Sequence, residues 1–411
     1  MSRPEPERVG LLGIGFGPAN LALAIALAER GAHGCFLEAQ PRFGWHRDML
    51  LPGTRMQIPF LKDLATLRNA QSHFTFVNYL TERGRLVEFI GRHDVFPSRL
   101  EFHDYLDWAA AHFAADVRYG QRVVCLARDP DGGFAVRTHA GAVVQADNLV
   151  LGMGLTPLLP NGIRCTSRCF HSHGLLGALA RLGPVRSVAV VGAGQSAAEV
   201  VAYLYRTMPQ VQVHAVFGRY GYSLADDSAF VNGIFDPAAV DEFFGADEPV
   251  RRRLLEYHRS ANYSAVDVDL IEQLYGLVYE EGVSGQRRLF LHRASEITEA
   301  TERADGVRVT VRSLVDRHAE ELHCDAVVYA TGYAPTDVAA FLGALAADYE
   351  FDERGLPVVT RDYRLAGRPG AAGGIFLNGS VIEHTHGLGA TLLSNVAVRG
   401  GEIAAAITQS T

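Results

Sequence analysis

The chain is predicted to be an α/β protein with two nucleotide-binding units and a smaller, mostly helical region between them. Three observations predict it. A strand, glycine turn and helix occur near the start, "RVGLLGIGFGPANLALAIALAERG". The pattern returns in mid-chain as "RSVAVVGAGQSAAEVVAYLYR". Two apolar strands running into glycines, "LVLGMGLTPLLP" (149–160) and "VVYATGY" (327–333), flank the second copy like crossing links. The 411 residues exceed one simple core, and 48% hydrophobic with 20% charged residues is a globular composition.

In the first pattern, "VGLLGIG" reads as a buried strand and "NLALAIALAERG" as a helix stopped by glycine. Gly13 is expected to make the tight turn and Gly15 to let the backbone approach a pyrophosphate, which the helix N-terminus then faces. Pro18 stands where GxGxxG has its third glycine. The next strand, "CFLEAQ", carries Glu38, 25 residues after Gly13, placed to accept ribose hydroxyls. The apolar run 9–28 is long enough to span a membrane. Its glycines and proline favour the strand–turn–helix reading, so no membrane segment is expected.

The second pattern has Gly192 and Gly194 in the turn and Ala197 at the third position, with Gln195 and Ser196 as further donors to phosphates. Its following strand, "VQVHAVFGR", ends in Arg219, 27 residues after Gly192. An acid repels a 2′-phosphate and an arginine attracts one. The first site therefore suits FAD and the second NADPH. These are two Rossmann-like domains, with expected boundaries 1–163 (FAD), 164–222 (NADPH), 223–285 (helical substrate-capping region), 286–325 (NADPH) and 326–411 (FAD).

Other classes are disfavoured. The net charge of −8 argues against a nucleic-acid partner, and "RRRLL" from Arg251 reads as a solvated helix face. Five cysteines without a CxxC exclude a dithiol reductase and suggest reduced thiols in the cytoplasm. His46, His384 and His386 are loop histidines, and no metal is expected. No F-x-G-x-x-x-H string stands between the glycine turns.

One stretch carries a local conflict. "MQIPFLKDLATLRN" (56–69) sets Lys62 against an apolar wall, with Asp63 beside it. Either Asp63 pairs with the ammonium or the ammonium points at something outside the chain, since an unpaired buried charge is costly.

That stretch, with "ADDSAFVNGIFDP" (225–237), "ANYSAVDVDLIEQLYG" (261–276) and "HGLGATLLSNVAVRGGEI" (386–403), resembles the microbial N-hydroxylating flavin monooxygenases over nearly the whole chain. These act on the side-chain amine of L-ornithine or L-lysine, on routes to siderophores and N–N-bonded products. The resemblance implies FAD, NADPH and O2, with the flavin carrying the chemistry and no side chain acting as catalyst. It implies that Lys62 holds the substrate carboxylate, with Asn232, Phe235 and Asn262 at the amino-acid head group and Ser394 near the reacting end. Flavin contacts would come from Glu38 to His46, including Trp45, and from Gln57, Val123, Thr391, Leu392 and Leu393. NADP contacts would come from Gln195, Ser196, Arg219, Asn262, Tyr263 and Ser264. Many relatives have Ser-Asp where Gly389 and Ala390 stand here. A homo-oligomer is expected by analogy. L-Ornithine is the expected substrate; L-lysine or a diamine is the alternative, and a non-catalytic nucleotide sensor is the reading from another class.

Overall fold

The computed structural model describes residues 7–371 and 373–409. The first strand, Glu7–Ile14, is exposed at its start and buried from Leu11 onward. It lies parallel to Cys35–Leu37 on one side and to Val143–Leu151 on the other. Val117–Arg118 extends that sheet beyond Cys35–Leu37. Two antiparallel strands, Phe134–Thr138 and Val123–Arg128, continue it from Val143–Leu151, and Gly374–Leu377 returns to pair parallel with the latter's end.

The helix Pro18–Ala28 is apolar on every face because it is covered on both sides. It packs on the sheet and against the helix Val396–Gln409. A Cβ at Gly400 would come within 2.9 Å of the Ala22 carbonyl carbon, so glycine there lets the two backbones close. Leu21, Leu23 and Ile25 are fully buried, each contributing about 1.5–3 kcal/mol. No helix among the described residues is long and apolar enough to cross a membrane.

The second sheet is wholly parallel, in the order Leu289–His292, Gln212–Val216, Ser187–Val191, Ala326–Tyr329, Cys169–His171. An antiparallel three-stranded sheet, Ser295–Arg303, Gly306–Ser313 and Ala319–Cys324, packs beside it. The two chain crossings meet: Leu155–Pro157 and Tyr333–Pro335 form a short antiparallel pair.

Two expected boundaries shift. Ala326–Tyr329 is a strand of the second sheet, so the return to the first unit begins after Tyr329, not at 326. The 223–285 region is also divided. Its helices Ala239–Gly245 and Glu248–Tyr257 pack against Glu383–His386 of the first unit. The helix Val268–Ser284 buries Leu274 in the core of the second unit instead, against Gln195–Thr207.

Candidate active site

At the first glycine turn, the amide of Gly15 donates to the carbonyl of Leu37 at 2.8 Å. Gly15 has φ +85°, and a Cβ there would lie 2.4 Å from the carbonyl oxygen of Gly152. Gly17 is the N-cap and Pro18 opens the helix, where a missing N–H costs nothing. This moves the fingerprint two residues along, to Gly15-x-Gly17-x-x-Asn20. Gly13 is not the turn residue; it lies in the strand, and a Cβ there would strike the Phe36 ring at 2.2 Å. Asn20 replaces the third glycine. Fully buried, it donates to the carbonyl of Gly15 (2.7 Å) and accepts from Asn378 (3.0 Å), which in turn accepts from buried Arg399 (2.8 Å).

Glu38 follows the second strand and is 8% exposed. Its carboxylate accepts the amides of Phe16 (2.7 Å) and Gln40 (2.8 Å). The acid therefore fastens the turn to its neighbour. Val123 opens a strand paired with Thr138 and packs on the same core. Trp45 meets Phe102 with ring centroids 6.2 Å apart. His46 sits at φ +48°. Burial, reinforced by Arg99 and His173, lowers its pKa to about 4, so it is neutral at physiological pH.

The second turn repeats the plan. Gly192 donates to Val216 at 3.0 Å, and its Cβ would lie 2.3 Å from the carbonyl oxygen of Ala330. Gly194 is the N-cap and Ala197 is buried at the third position. Neither helix has a side-chain cap; Pro18 has no N–H and the Ala197 amide donates to Gly194, and the other amides of each first turn can face a phosphate. Phe217 stands where Glu38 stands in the first unit, and Arg219 comes two residues later. The Arg219 guanidinium is exposed and donates to the carbonyl of Ser264 (3.1 Å) and the hydroxyl of Ser223 (3.4 Å). Ser264, at φ +59°, lies over the turn: a Cβ on Gly194 would be 3.5 Å from its Cα. Ser196 is half-buried beside it. The Gln195 amide, expected to reach phosphates, is spent on Glu199 and Asp267, at 3.0 Å each.

Lys62 lies on the 56–69 loop, between the two turns in sequence. Asp63 does not pair with it. The Asp63 carboxylate is 2% exposed and accepts the amides of Ala65 (2.9 Å), Thr66 (2.6 Å) and Phe76 (2.7 Å) and the Thr66 hydroxyl (2.8 Å). Burial raises its pKa against those bonds, so the acid is an internal brace of the loop. Lys62 is half-buried, and among the described residues its ammonium has no ion pair or side-chain hydrogen bond. Gln57 does not stand free: its amide donates to Asp267 at 2.8 Å.

Asn262 donates to the Thr391 hydroxyl at 3.0 Å, which ties the "ANYS" turn to the C-terminal segment. Tyr263 hydrogen-bonds the Glu383 carboxylate, and burial raises the pKa of both groups. The 262–264 stretch therefore reaches from the second glycine turn to Thr391. Leu392 and Leu393 are half-buried and Ser394 is buried at 2% exposure. Asn232 donates to the carbonyl of Asp227 at 2.7 Å. Buried Phe235 lies against Gly389. No direct bond joins Lys62 to Asn232 or Asn262.

Sequence reasoning passed over Asn395. It is 4% exposed, and neither polar atom of its amide has a protein partner. A Cβ at Gly389 would lie 2.7 Å from its nitrogen, so Asn395 takes the space a side chain at 389 would need. The glycine in "HGLGA" was the only trace of this in the sequence. His386, set aside as a metal ligand, stacks on Tyr363 at 4.4 Å and meets the Thr385 hydroxyl at 2.8 Å.

A family model described as L-lysine 6-monooxygenase/L-ornithine 5-monooxygenase matches residues 7–335. The chain is 43% identical over 400 residues to the L-ornithine N(5)-monooxygenase of Burkholderia cepacia, covering 92% of this chain and 89% of that one. The structure is similar to the ornithine N-hydroxylase of Kutzneria sp. 744 with reduced FAD, NADP+ and L-ornithine: TM-score 0.94, 43% identity, 97% and 99% coverage. It is also similar to the L-lysine 6-monooxygenase of Pseudomonas syringae: TM-score 0.85, 32% identity, 98% and 99% coverage.

Proposed function

The chain belongs to the L-lysine 6-monooxygenase/L-ornithine 5-monooxygenase family, and from that premise we propose how its own residues serve the reaction. It is an L-ornithine N5-monooxygenase that uses FAD and NADPH. The two uncapped glycine-led helices fit the pyrophosphates of the two cofactors, Glu38 the FAD ribose and Arg219 the 2′-phosphate. FAD, reduced by NADPH, supplies oxygen activation when bound; the protein binds, orients and excludes water.

The observation that carries the substrate assignment is the unpaired Lys62. Its neighbour Asp63 is saturated by four donors, which leaves the ammonium for an anion from outside the chain. The α-carboxylate of ornithine is such an anion. Asn232 and Asn262 would take the remaining head-group contacts, with Phe235 as their wall. Ser394 would stand at the far end with Gln57, near Thr391, Leu392 and Leu393 on the flavin.

The charge requirement follows from the amine. A primary amine of pKa ~10.4 costs about 4–5 kcal/mol to deprotonate at pH 7. Only its neutral form is nucleophilic. Gripping the carboxylate at one end lets the amine be desolvated at the other, which lowers its pKa. A diamine offers Lys62 no carboxylate. Lysine differs by one methylene, worth about 1–3 kcal/mol in an apolar pocket.

Lys62→Ala is expected to raise KM for ornithine on the order of 30–100-fold, about 2–3 kcal/mol, with FAD retained. NADPH oxidation should then yield mostly peroxide. Hydroxylamine formed per NADPH consumed, across ornithine, lysine and putrescine, is the measurement. A normal KM in the variant would refute the assignment. Five free cysteines support a reducing compartment, and we assign the reaction to the cytoplasm, serving hydroxamate siderophore or related synthesis. We also infer a homo-oligomer, which light scattering would test.

A further inference from the structure

One continuous run of side-chain hydrogen bonds crosses from the first unit to the second. Arg99, on the helix Arg99–Ala111, grips Glu199 of the helix Gln195–Thr207 with both prongs at 2.7 Å. The pair is largely shielded, with side-chain exposures of 13% and 3%. Glu199 also accepts from Gln195 at 3.0 Å. The same Gln195 nitrogen donates to Asp267 at 3.0 Å, and the Gln195 oxygen accepts the Asp267 amide at 3.0 Å. The other Asp267 oxygen accepts from Gln57 at 2.8 Å, on the loop that leads to Lys62.

Three features make this more than glue. A buried ion pair is a poor stabiliser, because desolvation offsets its attraction, yet a forked arginine–carboxylate pair is strict in geometry. The Gln195 amide has both protons and its oxygen engaged, so only one orientation satisfies it. Asp267 is the N-cap of the helix Val268–Ser284, yet its side chain does not cap that helix; it serves the two glutamines.

We propose that Arg99, Glu199 and Asp267 are positioning residues that hold the second nucleotide unit in register over the first for hydride transfer. The proposal rests on reading the two glycine turns as FAD and NADPH sites. In that step a hydride, one proton with two electrons, leaves C4 of the nicotinamide and bonds to N5 of the flavin. NADPH becomes NADP+ and FAD becomes its reduced anion. Reacting atoms must come within about 3–3.5 Å, and a 1 Å error costs on the order of 100-fold. None of the three is among the residues assigned to either cofactor; each acts through Gln195, at the start of the helix assigned to NADPH, or through Gln57.

The test uses the holoenzyme and needs no amine substrate. Anaerobic stopped-flow mixing with NADPH gives the limiting rate of flavin bleaching and the NADPH Kd. Hydrogen exchange in 55–62 and 195–207, with and without FAD, reads the register itself. Asp267→Asn keeps a good N-cap residue but sets an amide NH2 against a glutamine NH2. We expect its limiting rate to fall at least 10-fold, with Kd within about 3-fold of wild type and faster exchange in both segments. Arg99→Lys, which keeps the charge and loses the fork, should behave likewise. Rates within twofold of wild type and unchanged exchange in both folded variants would overturn the proposal. A wild-type chain that NADPH fails to bleach would overturn the cofactor reading itself, and the proposal with it.

Discussion

The two glycine turns share one backbone plan and differ in what their nearby charge does. In each, a glycine with positive φ, Gly15 or Gly192, sits under a carbonyl of the crossing strand, and a second glycine caps the helix. At the first, Glu38 is buried and spends its carboxylate on the amides of Phe16 and Gln40. At the second, Arg219 is exposed and held by a carbonyl and a hydroxyl. The first charge builds the loop it belongs to. On the proposed assignment, the second is left to be read by a ligand. A permanently held cofactor needs the former; one that exchanges each turnover needs the latter.

The strongest way to break this comparison is through the turn glycines. Gly15→Ala places a methyl 2.4 Å from a backbone oxygen, at a φ that L residues avoid. We expect a loss above about 3 kcal/mol and protein purified without flavin. Gly194→Ala meets only an ordinary contact at 3.5 Å, and its loss should stay below about 1 kcal/mol. Flavin content and urea unfolding distinguish them. Equal losses would mean that the positive-φ glycine and the cap glycine do not play different parts in the shared plan.

The charges come next. Glu38→Gln leaves the amide of Phe16 or Gln40 facing an NH2, which should cost about 1–3 kcal/mol in stability and loosen FAD. Arg219→Ala should leave stability and flavin untouched. Its NADPH-over-NADH preference in kcat/KM should fall on the order of 10–100-fold. Were Arg219→Ala to shed flavin, or Glu38→Gln to change only nucleotide choice, the division of labour would be wrong.

What could be read from the sequence follows the same division. The turns were legible because glycine is required where backbone meets backbone. The frame of the first is shifted by two residues because "GIGFG" offers three alternating glycines, and only the bond from Gly15 to Leu37 decides among them. Lys62 was legible as a charge in an apolar string. That Asp63 is not its partner depends on Phe76, beyond the string itself. The Arg99–Glu199 pair spans 100 residues and has no local signature. Asn395 against Gly389 leaves only that glycine as a trace, because both lie in short 3-10 turns whose side-chain directions no periodicity predicts.

The smallest expected effect concerns acid, and it sharpens the comparison from a third side, since each unit holds a histidine that stays neutral. In the first, the pKa of His46 is lowered to about 4 by burial, then by Arg99 and His173. In the second, His214 is also lowered to about 4, by burial first and then by His292, while Glu320 opposes. His214 stacks on Phe290 at 4.9 Å and meets His292 at 3.1 Å, and His292 reaches Glu320 at 2.6 Å. Unfolded, a histidine titrates near 6.5, so below that pH the unfolded chain binds more protons than the folded one. Stability must fall as pH drops from 6.5 towards 4, and level off below the folded pKa. Each such histidine contributes roughly 1 kcal/mol of loss between pH 7 and 5.5. His214→Phe keeps an aromatic ring against Phe290 and removes the titration. Its urea midpoint should shift less than that of wild type over that interval, with flavin still bound at both pH values. An identical pH dependence in the variant would mean that the second unit carries no acid-sensitive group at this position.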